Sequence, residues 1–318
     1  MTQTEVITMD YRRVLVIGGS GFVGASLAER LVETNREVIV PTRRPLAAAH
    51  LRPLPTVEIC AANIHNDSEL DELVARCDAV VNLVGILHGS TAQPFGPEFA
   101  AAHVALPRRI VAACARAAVR RVIHISALGV ADDGHSGPSM YLRSKAAGEH
   151  LLREAVGIDW TILRPSVIFG PRDKLMNTFA TLQRFAPVVP LARAGTRLQP
   201  VYVGDVAQAI VACLENRATI GHCYELAGPQ AFTLAELFGL AGRWAGRSAP
   251  VLPLPDPIGW LQAAALEFAP GPTIMSRDNF DSLAIDNVAS GPIDPELGID
   301  PTPLAAIVPG YLARRSGG

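Results

Sequence analysis

The stretch Val14-Leu-Val-Ile-Gly-Gly-Ser-Gly-Phe-Val-Gly24 joins four apolar residues directly to a group of closely spaced glycines. The residues that follow, Ala25-Ser-Leu-Ala-Glu-Arg-Leu-Val32, have the apolar spacing of an amphipathic helix. This order predicts a buried strand, a tight turn and a helix. The glycines fit both Gly19-x-Gly21-x-x-Gly24 and Gly18-x-x-Gly21-x-x-Gly24, and both spacings let the backbone turn sharply and pass close to a ligand.

A turn of this kind at the start of a helix is a suitable site for a pyrophosphate group. The first amides of a helix have no partner within it, and the positive end of the helix dipole attracts an anion. Glycines also serve ordinary turns, so the prediction of dinucleotide binding depends on the strand before them and the helix after them. The candidate contacts are Gly18, Gly19, Ser20, Gly21, Phe22, Val23 and Gly24.

The composition is that of a globular protein without an obvious macromolecular partner. The chain has 318 residues, 49% of them hydrophobic and 18% charged, which fits one large domain or one domain with a smaller lobe and excludes disorder as the main state. A net charge of −2 gives no broad basic surface, so no nucleic-acid partner is expected. The five cysteines form no Cys-x-x-Cys pair and the histidines lack metal-ligand spacing, so we expect reduced thiols and no metal site.

The sequence gives no sign of export or of a membrane-spanning segment. The first residues contain no basic segment leading into an apolar run, so no signal peptide is expected. No uninterrupted apolar run approaches the roughly 18 residues that a spanning helix needs. We therefore expect a cytoplasmic protein, with peripheral membrane contact left open and no prediction of the oligomeric state.

The choice of cofactor depends on the residues after the second predicted strand, Glu37-Val-Ile-Val40. In dinucleotide-binding folds an acidic residue near this strand end binds the adenosine ribose, whereas arginine suits a 2′-phosphate. Here Arg43 and Arg44 follow the strand and no acid is present. Because guanidinium groups form paired, charge-assisted bonds to phosphate, we expect NADP(H), with NAD(H) as the less favoured cofactor. The alternative is that both arginines are solvated loop residues.

Three further strands are predicted at residues 57–64, 79–85 and 122–126, and they alternate with helices. Five strands joined in this way need crossover connections, which predicts an α/β fold with a doubly wound, parallel Rossmann sheet. Ligands of such sheets bind at the carboxyl ends of the strands. Further cofactor contacts are therefore predicted at Asn63, Ile64, Leu83, Val84, Gly85 and Ser126.

The segment Tyr141-Leu-Arg-Ser-Lys145 places a phenol and an ammonium group on one face of a predicted helix, about one turn apart. The ammonium of Lys145 is expected to lower the pKa of Tyr141, while the hydroxyl of Ser126 orients a substrate oxygen. Tyr141 is then a general acid or base while a nicotinamide gives or takes hydride. This spacing is common by chance. Its functional interpretation depends on the Rossmann strands predicted before it and on Ser126 at the end of the fifth strand. Ser126, Tyr141 and Lys145 are the candidate catalytic residues, and all three are also candidate cofactor contacts.

With these residues the chain resembles the short-chain dehydrogenase/reductase superfamily. The resemblance is carried by the glycine turn together with Ser126, Tyr141 and Lys145. Other segments resemble an atypical branch of the superfamily that includes the NADPH-binding accessory subunit of respiratory complex I, and they extend over nearly the whole chain. These segments include Asn82-Leu-Val-Gly85, Leu163-Arg-Pro-Ser-Val-Ile-Phe-Gly-Pro171, Tyr224-Glu-Leu-Ala-Gly-Pro229 and Ser276-Arg-Asp-Asn-Phe-Asp281.

The resemblance implies a tightly held nucleotide and leaves the reaction open. The favoured function is an atypical oxidoreductase that moves hydride between a nicotinamide and a small carbonyl or alcohol. One alternative is a structural or assembly subunit of the complex I accessory type, in which the same residues only hold the nucleotide. Another is an NAD-dependent epimerase or dehydratase acting on a nucleotide sugar. Neither the substrate nor turnover of the nucleotide is predicted.

The segment 159–170 is predicted to contain a sixth strand, and its carboxyl end lies on the nicotinamide side of the predicted site. Residues 11–170 are predicted to form the dinucleotide-binding Rossmann domain, with a returning segment at 199–229. Residues 171–198 and 230–318 are predicted to form a smaller C-terminal substrate lobe. The residues expected beside Tyr141, and so in contact with the nicotinamide, are Pro165, Ser166, Val167 and Ile168.

Three local predictions concern the second half of the chain. Asp205 is expected to cap a helix that follows a short strand. The proline-rich residues 250–257 are expected to form an extended connector, because prolines disfavour both helices and central strands. The apolar helix at 260–268 is expected to pack as core over the active site, with an oligomer or membrane-surface contact as the alternative.

Overall fold

The computed structural model describes residues 9–270 and 273–313. Two predictions concern residues outside these ranges: the absence of a signal peptide at the start of the chain, and the end of the substrate lobe at residue 318. The first part of the chain alternates strands with helices. Its elements are β1 (Arg13–Ile17), α1 (Phe22–Glu33), β2 (Glu37–Thr42), β3 (Val57–Ala61), α2 (Asp67–Val74), β4 (Ala79–Asn82), α3 (Pro97–Phe99), α4 (Leu106–Ala117), β5 (Arg121–Ile125), α5 (Met140–Arg153), β6 (Asp159–Pro165) and β7 (Ile168–Phe169).

The second part contains shorter strands and several helices that leave the sheet. Its elements are α6 (Leu175–Phe185), β8 (Val189–Ala192), β9 (Arg197–Leu198), β10 (Val201–Tyr202), α7 (Val203–Glu215), β11 (Cys223–Leu226), β12 (Phe232–Thr233), α8 (Leu234–Trp244), β13 (Val251–Leu254), α9 (Asp256–Glu267), α10 (Arg277–Ser282) and α11 (Leu304–Leu312). Short 3₁₀ helices lie at Pro45–Leu51, Arg217–Thr219 and Pro295–Leu297. Within the described ranges no helix is long and apolar enough to cross a bilayer.

Seven strands form one sheet in the order β11-β6-β5-β4-β1-β2-β3, and every neighbouring pair is parallel. The chain moves outward from β1 to β3 and then returns to β4 on the other side of β1. The carboxyl ends of β1 and β4 therefore flank the point where the strand order reverses, which is where ligands bind in sheets of this class. The predicted doubly wound Rossmann fold is confirmed.

Both faces of the sheet are covered by helices, as the continuous apolar strands predict. Alternate residues of β1 point to opposite faces, so Val14 and Val16 pack with α1 and α7, whereas Leu15 and Ile17 pack with α2 and α4. All four side chains are fully buried. This rigid, double-faced core holds the turn between β1 and α1 in place.

A third core lies in the second part of the chain, between α6, α8 and α11. Phe179 and Phe238 stack at its centre with ring centroids 3.7 Å apart. The division into a sheet domain and a substrate lobe remains a prediction. One segment of the predicted lobe packs elsewhere, because Ile293 and Leu297 are buried in the core of the sheet.

Several local predictions require correction. The helix α7 begins at Val203 rather than after Asp205, and the Asp205 carboxylate instead accepts hydrogen bonds from the amide (2.7 Å) and hydroxyl (2.8 Å) of Thr302. The expected cap is wrong because the helix starts three residues earlier than the sequence pattern indicates, with Tyr202 as its N-cap residue. The proline-rich connector is extended as predicted, but its residues Val251–Leu254 also pair with β8 as an edge strand.

The prediction that the apolar helix after residue 256 packs as core over the active site is wrong. Only Gly259 and Ala263 of α9 are buried. Ile258, Leu261 and Phe268 are 52%, 62% and 78% exposed. None of the hydrophobic clusters of the described residues includes Ile258, Leu261 or Phe268, so this side of the helix has no apolar covering layer.

Candidate functional site

The glycine turn after β1 has a geometry that only glycine satisfies at two positions. Gly18 has a φ of +86°, in the left-handed region that side chains disfavour. An ideal Cβ at Gly24 would lie 2.4 Å from the Cα of Gly19, so this contact requires a glycine. An ideal Cβ at Gly18 would lie 3.3 Å from Leu83, which shows that the turn lies against the segment after β4.

The turn leads directly into the N-terminus of α1, and this helix end is open to a ligand. The N-cap residue Gly21 has no side-chain oxygen, and the first turn contains no acidic residue. The amide of Ala25 donates to the Gly21 carbonyl (3.0 Å) as the first helical hydrogen bond. The earlier amides of the helix, at Phe22, Val23 and Gly24, are therefore not needed by the helix itself. This cradle fits a pyrophosphate group.

Lys145 reaches from α5 to the carboxyl ends of two sheet strands. Its ammonium donates hydrogen bonds to the carbonyl oxygens of Ile125 (2.9 Å) and Val84 (3.3 Å). An ideal Cβ at Gly85 would lie 3.4 Å from Nζ, an ordinary contact distance, so the lysine ends directly beside this glycine. The structure thus brings Lys145 together with the predicted contacts Leu83, Val84 and Gly85, beside the glycine turn.

Burial dominates the electrostatics of the predicted catalytic residues. It raises the pKa of Tyr141 to about 12, whereas we expected Lys145 to lower it. Burial also lowers the pKa of Lys145 to about 8, with Glu149 acting in the opposite direction. The ammonium of Lys145 donates its hydrogen bonds to two backbone carbonyls and not to the phenol, which explains why the pKa of Tyr141 is raised and not lowered. The buried Ser126 hydroxyl has no hydrogen-bond partner among the described residues, so its oxygen is free to bind a ligand.

His103 belongs to the same site, although the sequence gives no signal for it. The Ile86 amide donates to its Nε2 (3.1 Å), so Nδ1 carries the proton and donates to the Ser144 hydroxyl (2.7 Å). That hydroxyl donates in turn to the carbonyl of Tyr141 (2.8 Å). Burial, followed by the charge of Lys145, lowers the pKa of His103 to about 2 and keeps it neutral. His103 therefore ties the loop after β4 to the helix that carries Tyr141.

His103 lies on a π-helical segment, Ala100–Ala105, that separates α3 from α4. Pro107 lies in the first turn of α4, directly after this segment. Proline has no amide hydrogen to donate, so a change of helix type next to it is accommodated easily. π-helical turns of this kind occur frequently at functional sites.

Two side chains from the second part of the chain fix the site from the other side. The Asp278 carboxylate accepts hydrogen bonds from the amides of Met140 (2.6 Å) and Tyr141 (3.1 Å), at the N-terminus of α5. Asn287 accepts from the Val167 amide (3.2 Å) through its side-chain oxygen. These contacts position the start of the Tyr141 helix and the end of β6.

Replacing Asp278 with alanine is expected to lower the free energy of unfolding by about 1–2 kcal/mol, because a negative side chain that caps a helix N-terminus is lost. The measurement is urea denaturation followed by circular dichroism. Asp281→Ala is the matched control, since it removes a carboxylate from the same helix without removing the cap on α5. Equal loss of stability in the two variants would show that the cap is unimportant.

The adenosine side of the predicted site lies at the ends of β2 and β3. Arg43 and Arg44 are both exposed there, and among the described residues neither forms an ion pair with a carboxylate. Arg43 is near enough to His65 to contribute to lowering the pKa of His65, after burial. β3 ends at Ala61, earlier than predicted, so Asn63 and Ile64 lie in the loop that follows; Asn63 is exposed and Ile64 half-buried.

The nicotinamide side lies where β6 ends beside β5. The Pro165 carbonyl accepts a hydrogen bond from the Leu128 amide (2.9 Å), which joins the loop after Ser126 to this strand end. The Ser166 hydroxyl donates a hydrogen bond to the side-chain oxygen of Asn287 (2.5 Å). Val167 and Ile168 are half-buried next to it. The predicted residues of this side therefore lie at the carboxyl ends of the strands, as the glycine turn does.

Comparisons with known proteins agree with this architecture. The NAD dependent epimerase/dehydratase family matches residues 14–227. NADH dehydrogenase [ubiquinone] 1 alpha subcomplex subunit 9, mitochondrial, of Arabidopsis thaliana is 31% identical over 86% of this chain and 70% of its own length. Ceramide reductase of Caulobacter vibrioides is 28% identical over 80% of this chain and 76% of its own length.

Solved structures show the same fold at lower identity. A double mutant of dTDP-glucose 4,6-dehydratase from Streptomyces venezuelae with NAD bound superposes with a TM-score of 0.72. It is 22% identical, and the superposition covers 96% of this chain and 97% of that one. The family match extends from β1 to just beyond β11 and so includes the whole central sheet. The chain belongs to the NAD dependent epimerase/dehydratase family.

Proposed function

We propose that the protein binds NADP(H) in the glycine turn and transfers hydride between the nicotinamide and a small carbonyl or alcohol. The observation that supports this proposal most is that Ser126, Tyr141 and Lys145 lie near one another at the carboxyl ends of the strands, on the side of the sheet where the glycine turn lies. Lys145 is fixed there by the carbonyls of Val84 and Ile125. The similarity to a protein named ceramide reductase is consistent with a reductase on this fold.

The three side chains have separate roles in the proposed reaction. The bound nicotinamide supplies or accepts the hydride. The free hydroxyl of Ser126 holds the substrate oxygen by a hydrogen bond. Tyr141 has a pKa of about 12 and is protonated at neutral pH, so its phenol is ready to donate a proton to a carbonyl oxygen. Lys145, whose ammonium lies at the carbonyls of Val84 and Ile125, would hold the ribose of the bound nucleotide.

The preference for the phosphorylated cofactor depends on Arg43 and Arg44. Both guanidinium groups are exposed at the end of β2, and no acid stands there to bind an unmodified ribose. The dehydratase neighbour was solved with NAD, so the fold alone does not favour the phosphorylated nucleotide. The arginines are what favour a 2′-phosphate in this chain.

Changing Arg43 and Arg44 together to alanine is expected to weaken NADPH binding about 10- to 100-fold, because bonds between charged groups and phosphate are lost. NADH affinity should change by less than about threefold, since NADH has no 2′-phosphate. Both affinities are measured by nucleotide fluorescence titration. Arg217→Ala, at the opposite edge of the sheet, is the control. Equal weakening of both nucleotides, or release of NAD alone from the denatured purified protein in mass spectrometry, would contradict the proposal.

A second candidate function is a nucleotide-bound structural subunit, and the Arabidopsis relative favours it because it is named as a subunit of NADH dehydrogenase. In that case the nucleotide is retained and never exchanges hydride with a substrate. A screen of carbonyl compounds, with NADPH oxidation followed by absorbance, separates the two. Turnover supports the oxidoreductase. A third candidate, a nucleotide-sugar epimerase or dehydratase, predicts retained NAD and sugar conversion without net oxidation.

A further inference from the structure

The outer side of α9 exposes large apolar side chains. Ile258, Leu261 and Phe268 are each more than half exposed, at positions that share one face of the helix and its C-terminal end. The inner side packs closely: an ideal Cβ at Gly259 would lie 2.8 Å from the Cβ of Ala192. A surface helix ordinarily has charged residues on its outer face, and a continuous exposed apolar surface marks a binding site.

The apolar surface continues from the helix onto the neighbouring edge strand. Gln262 donates a hydrogen bond to the carbonyl of Pro190 (2.8 Å), which fastens α9 beside β8. Pro190 is in register with Leu252 of β13, and Leu252 is 54% exposed. Trp260, 42% exposed, lies on the flank of the same helix. We call this set the α9 surface: Leu252, Ile258, Trp260, Leu261 and Phe268.

The charges at the two ends of α9 are neutralised. Asp256 pairs with Arg193 (2.8 Å), and Glu267 pairs with Arg277 (2.8 Å). The guanidinium of Arg277 also lies 5.8 Å from the ring centre of Trp260 and equally far from that of Phe268. Asp256 and Glu267 are the only charged residues of the helix, so the surface presents no unpaired negative charge.

Two arginines lie just before the strand pair beside α9: Arg184 is in the last turn of α6, which leads into β8, and Arg247 precedes β13. The Arg247 guanidinium donates to the carbonyl of Arg184 (2.7 Å), and both side chains are exposed. Phe185, the last residue of α6, stands next to them and is 80% exposed. Exposed aromatic and aliphatic groups bordered by arginines are typical of proteins that rest on anionic lipid.

We propose that the α9 surface docks on an anionic lipid bilayer. A second copy of the chain is the weaker alternative, because a typical interface between proteins also carries several hydrogen bonds, and the α9 surface offers few polar side chains to form them. The one uncharged amide side chain on α9, Gln262, already bonds within its own chain. A bilayer needs no such partner, takes aromatic rings into its interface and attracts the arginines before β8 and β13.

The test is co-sedimentation of the full-length protein with vesicles. Vesicles of equal parts phosphatidylcholine and phosphatidylglycerol are expected to bind it, more weakly as salt rises, and vesicles of phosphatidylcholine alone to bind it less. Leu261→Asp and Phe268→Asp are each expected to lower the partition coefficient about tenfold or more. Val156→Asp is the matched control, because Val156 is 96% exposed in a different part of the molecule.

The outcomes distinguish a bilayer from the other occupants. A shift of Trp260 fluorescence to shorter wavelength on vesicle addition, absent in Trp260→Phe, supports docking through α9. The proposal is overturned if the unaltered protein binds neither vesicle, or if Val156→Asp weakens binding as much as the α9 variants. A dimer that Leu261→Asp dissociates would also overturn it. NADPH affinity should be unchanged in these variants, which keeps this test separate from that of the nucleotide site.

Discussion

Replacing Tyr141 with phenylalanine is expected to lower kcat about 100- to 10,000-fold on any carbonyl substrate, because the general acid is removed. The fold of the site should survive the change. The ring of Tyr141 packs edge-on against His103 and Phe99, and phenylalanine keeps that packing. The contacts that fix α5 use the backbone of residue 141, which accepts from Ser144 and donates to Asp278.

The measurement is steady-state and single-turnover kinetics with NADPH. NADPH affinity is expected to stay within about threefold, because the lost hydroxyl contributes to the reaction more than to holding the nucleotide. Tyr202→Phe is the matched control, since Tyr202 is a half-buried tyrosine packed against Phe169 away from Lys145. Unchanged kcat in Tyr141→Phe would remove Tyr141 from the proposed mechanism.

The parts of the fold that the sequence predicts are those set by local pattern. Continuous apolar runs identify the strands of a sheet covered on both faces, and a glycine turn between strand and helix identifies the ligand edge. The box Thr233-Leu-Ala-Glu236 predicts the start of α8, and both of its reciprocal hydrogen bonds are present. Each of these features depends only on neighbours in the chain.

The parts that the sequence does not predict depend on distant contacts. Asp278 reaches Met140 across 138 residues, and Asn287 reaches Ser166 across 121. No spacing rule connects residues so far apart. The burial of a helix is equally hard to predict from its own sequence. Apolar residues indicate that α9 is a helix, but whether other elements cover it depends on the whole chain. The raised pKa of Tyr141 has the same origin, since desolvation outweighs the helical neighbour at residue 145.

The helix that carries Tyr141 and Lys145 is anchored to the sheet by a buried ion pair, and breaking that pair should destabilise the protein strongly. Glu149 of α5 binds Arg164 of β6 at 2.6 Å, and their side chains are 3% and 9% exposed. Glu149→Ala is expected to lower the free energy of unfolding by about 3–5 kcal/mol, because it leaves a buried guanidinium without its main partner.

The control is Asp132→Ala, which removes the other acidic partner of Arg164 at a side chain that is 76% exposed. That ion pair faces water, so its loss should cost less than about 1 kcal/mol. The double variant Glu149→Leu with Arg164→Met should recover most of the stability lost in Glu149→Ala, since no buried charge is then left unpaired. Urea denaturation measures all three. Similar stability losses for Glu149→Ala and Asp132→Ala would mean that water reaches Arg164 and that the pair does not anchor the helix of Tyr141.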